Sequence, residues 1–220
     1  MKRGLFACVG VVVAVVAIAA LLRPTPGHAN VENGMAGSGS AADPYQITNC
    51  VELQKVTLNL ESQYILANDI DCSDTVNWNS GAGFIPIGLN PDDQSYGNYR
   101  GTFDGRGHTI SGIFVSRPSN QSNYVGTGLF SSVASAHLVN FTLANATIEA
   151  AITDNSYVYV GGVVGLGIDN SSISSVHFDG DITVAGCGAN STVVAGGLVG
   201  TSGQSQVRSS SATGTLQTSD

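Results

Sequence analysis

Three aspartates, Asp69, Asp71 and Asp74, fall in one six-residue stretch and could offer a hard cation such as Ca²⁺ several oxygens. Asp69 and Asp71 also share one face of an alternating segment whose other positions are apolar, so a solvated strand end is the better reading. Asp104-Gly105-Arg106-Gly107-His108 gathers a carboxylate, a guanidinium and an imidazole, a set able to move a proton. Its glycine spacing is that of a hairpin turn, and the turn is the reading adopted. His137 and His177 lie 40 residues apart in a chain whose period is shorter, so they fall out of register for a shared metal. A zinc signature, a nucleophile elbow and a phosphate-binding glycine loop are all lacking from the sequence. No catalytic residue, metal ligand or cofactor-binding residue is therefore assigned, and no cofactor is expected.

The elements that would position these groups are set by a repeat. Val160-Gly161-Gly162-Val163-Val164-Gly165 returns 35 residues later as Ala195-Gly196-Gly197-Leu198-Val199-Gly200, and Gly128-Leu129-Phe130-Ser131 is a looser copy 34 residues before Gly162. After each copy comes an apolar pattern: Leu138-x-Asn140-Phe141-x-Leu143, then Ile173-x-Ser175-Val176-x-Phe178, then a faded Val207-x-Ser209-Ser210-x-Ala212. Three short strand-like pieces per unit predict an all-β solenoid, one turn of a parallel β-helix for each unit. Strict alternation would put Leu138 and Phe141 on opposite faces, so both face inward only if the chain bends between them. Asn140 suits that bend because asparagine tolerates the left-handed conformation. Stacked units then align Leu138 with Ile173 and Val207, Phe141 with Val176, and Leu143 with Phe178.

The chain of 220 residues opens with Met1-Lys2-Arg3, an 18-residue apolar run from Leu5 to Leu22, and Pro24-Thr25-Pro26-Gly27-His28-Ala29. Residues 1–29 read as an export signal cleaved after Ala29, with an uncleaved N-terminal anchor helix as the open alternative. The membrane is expected only through that segment, and the mature chain is expected to be secreted or held at the cell surface. Cleavage leaves five basic against 16 acidic side chains, a net charge of −11, which disfavours nucleic acid as a partner. In an oxidising compartment Cys50 and Cys72, which flank one short helix-and-strand unit, are the expected disulfide, with Cys187 left over as a free thiol or for a partner outside the chain.

Residues 30–42 lack periodicity and read as a flexible linker. Residues 43–124 form an N-terminal capping region with the first turn or turns of the solenoid, and residues 125–220 carry the repeats. Asn49 is positioned to cap a short helix reaching Leu60, and Tyr64 to Asp71 alternates as a strand. The stretch from Ser73 to Gly101, rich in Asn, Gly, Pro and Asp, reads as a long excursion with a small packing core of its own.

These residues resemble the GLUG-motif repeat family, whose Gly-Leu-hydrophobic-Gly signature Gly197-Leu198-Val199-Gly200 matches in full. Gly162-Val163-Val164-Gly165 matches with Val for Leu, and Gly128-Leu129-Phe130-Ser131 departs at its last position. The leading section is similar to the region that precedes such repeats in exported bacterial proteins, in Asp43 to Ile47, Asn68 to Asp71, Pro86 to Gly88 and Gly101 to Ile110. The resemblance implies a right-handed parallel β-helix in secreted or surface-attached, adhesin-like proteins, and it implies no catalytic set. The expected function is non-catalytic: adhesion or binding of an extracellular glycan or protein through the faces of the solenoid, with Ser171 to Ser175 and Ser209 to Ser211 outward. The alternatives are a polysaccharide-active β-helix lyase or hydrolase, by analogy of fold alone, and a fragment of a larger exported protein.

Overall fold

The computed structural model describes residues 34–90, 95–119, 125–152, 157–186 and 192–219. The expected export signal (residues 1–29), residues 30–33 of the expected linker and Cys187 lie outside the described residues. Among those described, no helix is long and apolar enough to cross a membrane.

The chain enters through strand β1 (Tyr45–Ile47) and helix α1 (Cys50–Gln54), which a 3-10 turn extends to Leu58. Asn49 caps α1 as expected, its Oδ1 accepting from Glu52 N at 3.0 Å, while Glu52 Oε2 accepts from Thr48 N at 2.7 Å. Leu53 and Val56 face the core and Thr57 Oγ1 accepts from Gly88 N, while Leu58 is largely exposed and the expected helix to Leu60 ends early in the 3-10 turn. The expected strand from Tyr64 to Asp71 is two, β2 (Tyr64–Leu66) and β3 (Ile70–Asp71), separated by a corner. Then follow β4 (Thr102–Asp104), β5 (Thr109–Ser111), β6 (Phe114–Ser119), β7 (Val125–Thr127), β8 (Phe130–Ala134) and β9 (His137–Ile152). The next unit repeats the last three as β10 (Tyr157–Gly161), β11 (Val164–Ile168) and β12 (Ser172–Ala185). The final unit supplies β13 (Thr192–Gly196), β14 (Val199–Ser202), β15 (Gln206–Arg208) and β16 (Ser211–Ser219).

From β7 onward strands one period apart pair, the earlier strands pair at spacings of their own, and every ladder between these strands is parallel. Strands β7, β10 and β13 form one sheet, β8, β11 and β14 a second, and β1, β2, β4, β9, β12 and β15 the spine of a third that also takes in β3, β5, β6 and β16. The architecture is thus all-β and parallel, with no closed barrel among the described residues.

The register is the one the repeat demands. Leu138 pairs with Ile173, Phe141 with Val176 and Leu143 with Phe178, and Ile173 pairs with Val207 in turn. Leu138 and Ile173 are buried; Val207, at the end of its row, is 45% exposed although aligned. Asn140 sits at φ 58°, the predicted left-handed bend, and Ser175 and Ser209 hold the same corner in the next two units at 54° and 48°. A second bend, at Asn145 (φ 51°), turns both Leu143 and Ala146 inward; β9 carries one residue more than β12 there, a bulge.

The motif glycines answer a question of space. A Cβ on Gly128 would come 2.5 Å from Gly161 O, and one on Gly200 would lie 2.6 Å from Gly165 O and 2.7 Å from Val160 N. A Cβ on Gly165 would strike the backbone of Gly126 and Thr127. The aligned apolar positions Phe130, Val164 and Val199 pair across units, and Leu129, Phe130, Val163 and Val164 are wholly buried, with Leu198 packed against the core.

Two expectations need correction. Residues 34–42 are not a flexible linker: Met35 is fully buried, Gln46 N donates to Ala36 O, and Gln63 N donates to Gly39 O. Burial of one methionine and bonding of the β1 edge outweigh the Gly/Ser composition. Nor does the excursion from Ser73 to Gly101 have a core of its own. Phe84, Ile87 and Tyr99 belong to the common core, because Ile87 bridges in parallel to Phe130 and Tyr99 to Val133 and so extend the β8 sheet. Tyr45, Tyr64, Tyr99, Phe130, Phe103 and Phe141 form a chain of ring contacts with centroids 5.2–6.2 Å apart. Burial pushes the Tyr64 and Tyr99 hydroxyls far above the usual phenol range, and each donates to a carbonyl, of Asn59 and Ser62.

Cys50 and Cys72 are bonded, as expected, across 22 residues, and fasten the N-terminal cap to the stack. Reduction, or Cys50→Ser with Cys72→Ser, should cost roughly 3 kcal/mol in urea unfolding. Gly165→Ala should cost about 1–3 kcal/mol, whereas Gly167→Ala, whose Cβ would stay at least 3.3 Å from its neighbours, should cost well under half of that. Equal effects would refute the close-approach explanation.

Candidate functional site

The residues that sequence chemistry singled out are mostly committed to the fold. Asp69 Oδ1 accepts from Thr109 N at 2.9 Å and lies 3.0 Å from His108 Nδ1. The Thr109 amide first, and the His108 side chain second, hold the Asp69 carboxyl below the usual carboxylate range. Asp71 is lowered in the same way by the Ser73 amide, 2.9 Å away. Asp74 accepts from Asn77 Nδ2 and from Trp78 Nε1. Asp71 and Asp74 thus hold local turns, while Asp69 ties the chain just before β3 to the start of β5, so the three carboxylates serve three separate places.

The segment from Asp104 to His108 is a turn but not a hairpin. Strands β4 and β5 do not pair with each other; both pair in parallel with β9, so the turn is a corner between two strands that run along the same neighbour. Arg106 (φ 52°) and Gly107 (φ 83°) are both left-handed, and His108 N donates to Gly105 O at 2.8 Å. His137 pairs with Ser172, while His177 pairs with Thr142 and Ser211, so the two imidazoles occupy different rows. Each has Nδ1 within 2.8 Å of a hydroxyl one unit on, Ser172 and Ser211. Ser171, expected outward, is buried, and its Oγ accepts from Ala136 N.

Among the described residues, two larger grooves open on the surface. One, of about 500 Å³, is lined by Arg106, Gly107, Asn140, Phe141, Thr142, Ser175 and His177. It runs along the left-handed corners, which the register stacks side by side. The other, of about 470 Å³, has Val51, Trp78 and Ile85 as apolar walls, with Gln54, Lys55 and Asn79 beside them. Its amides are occupied: Gln54 holds both the N–H and the carbonyl of Ile85, and Asn79 Nδ2 donates to Gly83 O. A third hollow, of about 310 Å³, contains Asp179 and Asp181, each with one carboxylate oxygen taken by Thr213 or Thr215 of the next unit. Sequence reasoning missed the first groove because its residues come from three consecutive units. Counting corner residues against the period would have exposed it.

No family profile matches the chain. Over 164 residues, 72% of its length, the chain is 35% identical to a part of halomucin from Haloquadratum walsbyi, of which it spans 2%. Among solved structures it is similar to a candidate immunoglobulin A1 protease from Bacteroides ovatus, at 12% identity and a TM-score of 0.25 over 84% of this chain and 86% of that one. That likeness is too weak to bear on fold or activity.

The lowered carboxyls give a pH dependence. A folded-state pKa below the unfolded value, 3.8, means stability that is full above pH 4 and is lost as pH falls through the folded pKa. Acid titrations of unfolding should therefore show the wild type losing stability below about pH 4, and Asp69→Asn should flatten that limb. An unchanged acid limb in the variant would remove Asp69 from the account.

Proposed function

We propose that this chain is a non-catalytic, exported or cell-surface module, a right-handed parallel β-helix of the GLUG-repeat type, that binds an extracellular glycan or protein through its outer faces. The parallel register at a period of 34–35 residues supports the β-helix reading, since β7, β8 and β9 pair with β10, β11 and β12, and these with β13, β14 and β15, so that the chain returns to the same three sheets in successive units. The likeness to part of halomucin supports an extracellular or surface setting, and the disulfide accords with an oxidising compartment.

The observation that carries the binding reading is the groove along the stacked corners. It is the size of a small-ligand site, it is lined by guanidinium, amide, hydroxyl and imidazole groups, and it lies on an outer wall. Such groups exchange hydrogen bonds with a polar partner without needing to reorganise the strands beneath them.

The test is a screen of the full chain against arrays of glycans and extracellular-matrix proteins, paired with an assay for depolymerisation of acidic polysaccharides. Retention by at least one partner class with no new chain ends is the expected result. Steady release of unsaturated or reducing ends would replace this reading with a lyase or hydrolase, and failure to retain any glycan or protein would end it.

A further inference from the structure

The groove owes its shape to a break in the period. Between the register pairs Ser174 with Val139 and His177 with Thr142, strand β12 passes the corner with two residues, Ser175 and Val176, and β9 with Asn140 and Phe141. Over the same gap the chain from β4 to β5 uses four, Gly105 to His108, since Asp104 pairs with Val139 and Thr109 with Thr142. Two residues must leave the wall. Gly105 N and Gly107 N still donate to Val139 O and Asn140 O, at 2.8 and 2.7 Å, so Arg106 is the residue at the crest.

Arginine is a poor choice for that place, because a bulky side chain at positive φ is strained. The strain is held by Asp104, whose Oδ1 accepts from Arg106 N at 2.8 Å and from Asn140 Nδ2 at 3.2 Å. Strain that the surroundings hold in place is a mark of a functional position when an independent feature points the same way. Here that feature is charge. The chain carries eight basic against 16 acidic residues, yet the groove is lined by Arg106 and His177 and by no carboxylate. The Arg106 guanidinium enters no ion pair among the described residues, in contrast to Arg100, which lies 3.6 Å from Glu61.

We propose that the groove binds an acidic saccharide, with Arg106 clamping its carboxylate and Thr142, Ser175, Asn140 and His177 meeting its hydroxyls. The inference rests on the binding-module reading and names its ligand class. A guanidinium presents a planar fork that matches a carboxylate. One hydrogen of Asn140 Nδ2 goes to Asp104, which leaves the second hydrogen to donate and Oδ1 to accept; His177 Nδ1 is engaged by Ser211, which leaves Nε2. A volume of about 500 Å³ is far more than a lone inorganic anion fills and lies within the range of ligand sites. The acidic surface elsewhere repels densely charged polyanions, so the fitting ligand is a short glycan with spaced carboxylates.

The test is calorimetric titration of the full chain with trigalacturonate, with neutral galactotriose and with sodium sulfate. Trigalacturonate should bind, galactotriose at least about tenfold more weakly, and sulfate should not displace the acidic sugar at equal concentration. Arg106→Gln should lose about tenfold in affinity. Arg106→Gly should lose as much while keeping or raising the melting temperature, because glycine relieves the left-handed backbone. That split separates a ligand contact from a structural role. Equal binding of the two sugars, displacement by sulfate, no binding of trigalacturonate, or variants that bind as the wild type does would each overturn the proposal. If the array screen still retains another partner in that event, the binding-module reading stands and only the groove assignment falls.

Discussion

The structure depends on parallel pairing in register, which places an apolar side chain of each strand directly against its counterpart in the next. One row runs Tyr45, Tyr64, Phe103, Leu138, Ile173 and Val207 through six strands of the third sheet. A second runs Ile70, Ile110, Leu143, Phe178 and Ala212, and a third Val115, Ile148, Ile182 and Leu216. Members inside the stack are 0–3% exposed, whereas Val207 and Leu216, in the last described unit, are 45% and 50% exposed. Burying one such side chain contributes about 1.5–3 kcal/mol, so the same residue type stabilises the fold far more where other residues cover it than at the exposed end of its row. A unit of 34–35 residues cannot offset its own ordering entropy alone, and cooperativity between units follows.

Parallel stacking also dictates the corners. A winding that turns within a strand must put apolar residues three apart on one face, and only a left-handed residue accomplishes this without losing the ladder on either side. Asn140, Ser175 and Ser209 do so in three successive units. At the sharper corner between β10 and β11 the demand is for space, and Gly161, Gly162 and Gly165 meet it by letting backbone and the Phe178 ring come where a Cβ would stand. At the position of Gly165 the looser copy has Ser131, whose hydroxyl is buried without a partner among the described residues; nothing in the structure accounts for it.

Much of this was legible because the repeat states the register twice. Leu138, Phe141 and Leu143, with Asn140 between them, carry both the row and the bend; the second bend, at Asn145, was found only in the structure. What was not legible depended on contacts between dissimilar segments. Met35 lies in a stretch whose composition is that of a linker, and only the β1 edge it covers gives it an ordered place. The corner groove unites Arg106 with Thr142, Ser175 and His177, which no local pattern connects; the register brings them together, and the two extra residues before β5 raise the wall around them.

The charge distribution shows how an acidic chain tolerates this architecture. Parallel strands about 4.8 Å apart would set like charges side by side if acidic residues recurred in register, at a cost that grows with every unit. The outward carboxylates instead alternate with hydroxyls along the stack. Asp181 pairs with Thr147 on one side and Thr215 on the other, Glu149 lies between Ser116 and Thr183, and Asp179 meets Thr213. Thr213 and Thr215 donate their hydroxyl hydrogens to the two aspartates, so each negative charge is solvated by the neighbouring unit rather than opposed by it. The rule that spaces acids also leaves the basic groove undisturbed. Asp104, the acid nearest it, is tied down by Asn140 and the Arg106 amide, and its charge steadies the turn that lifts the guanidinium over the groove.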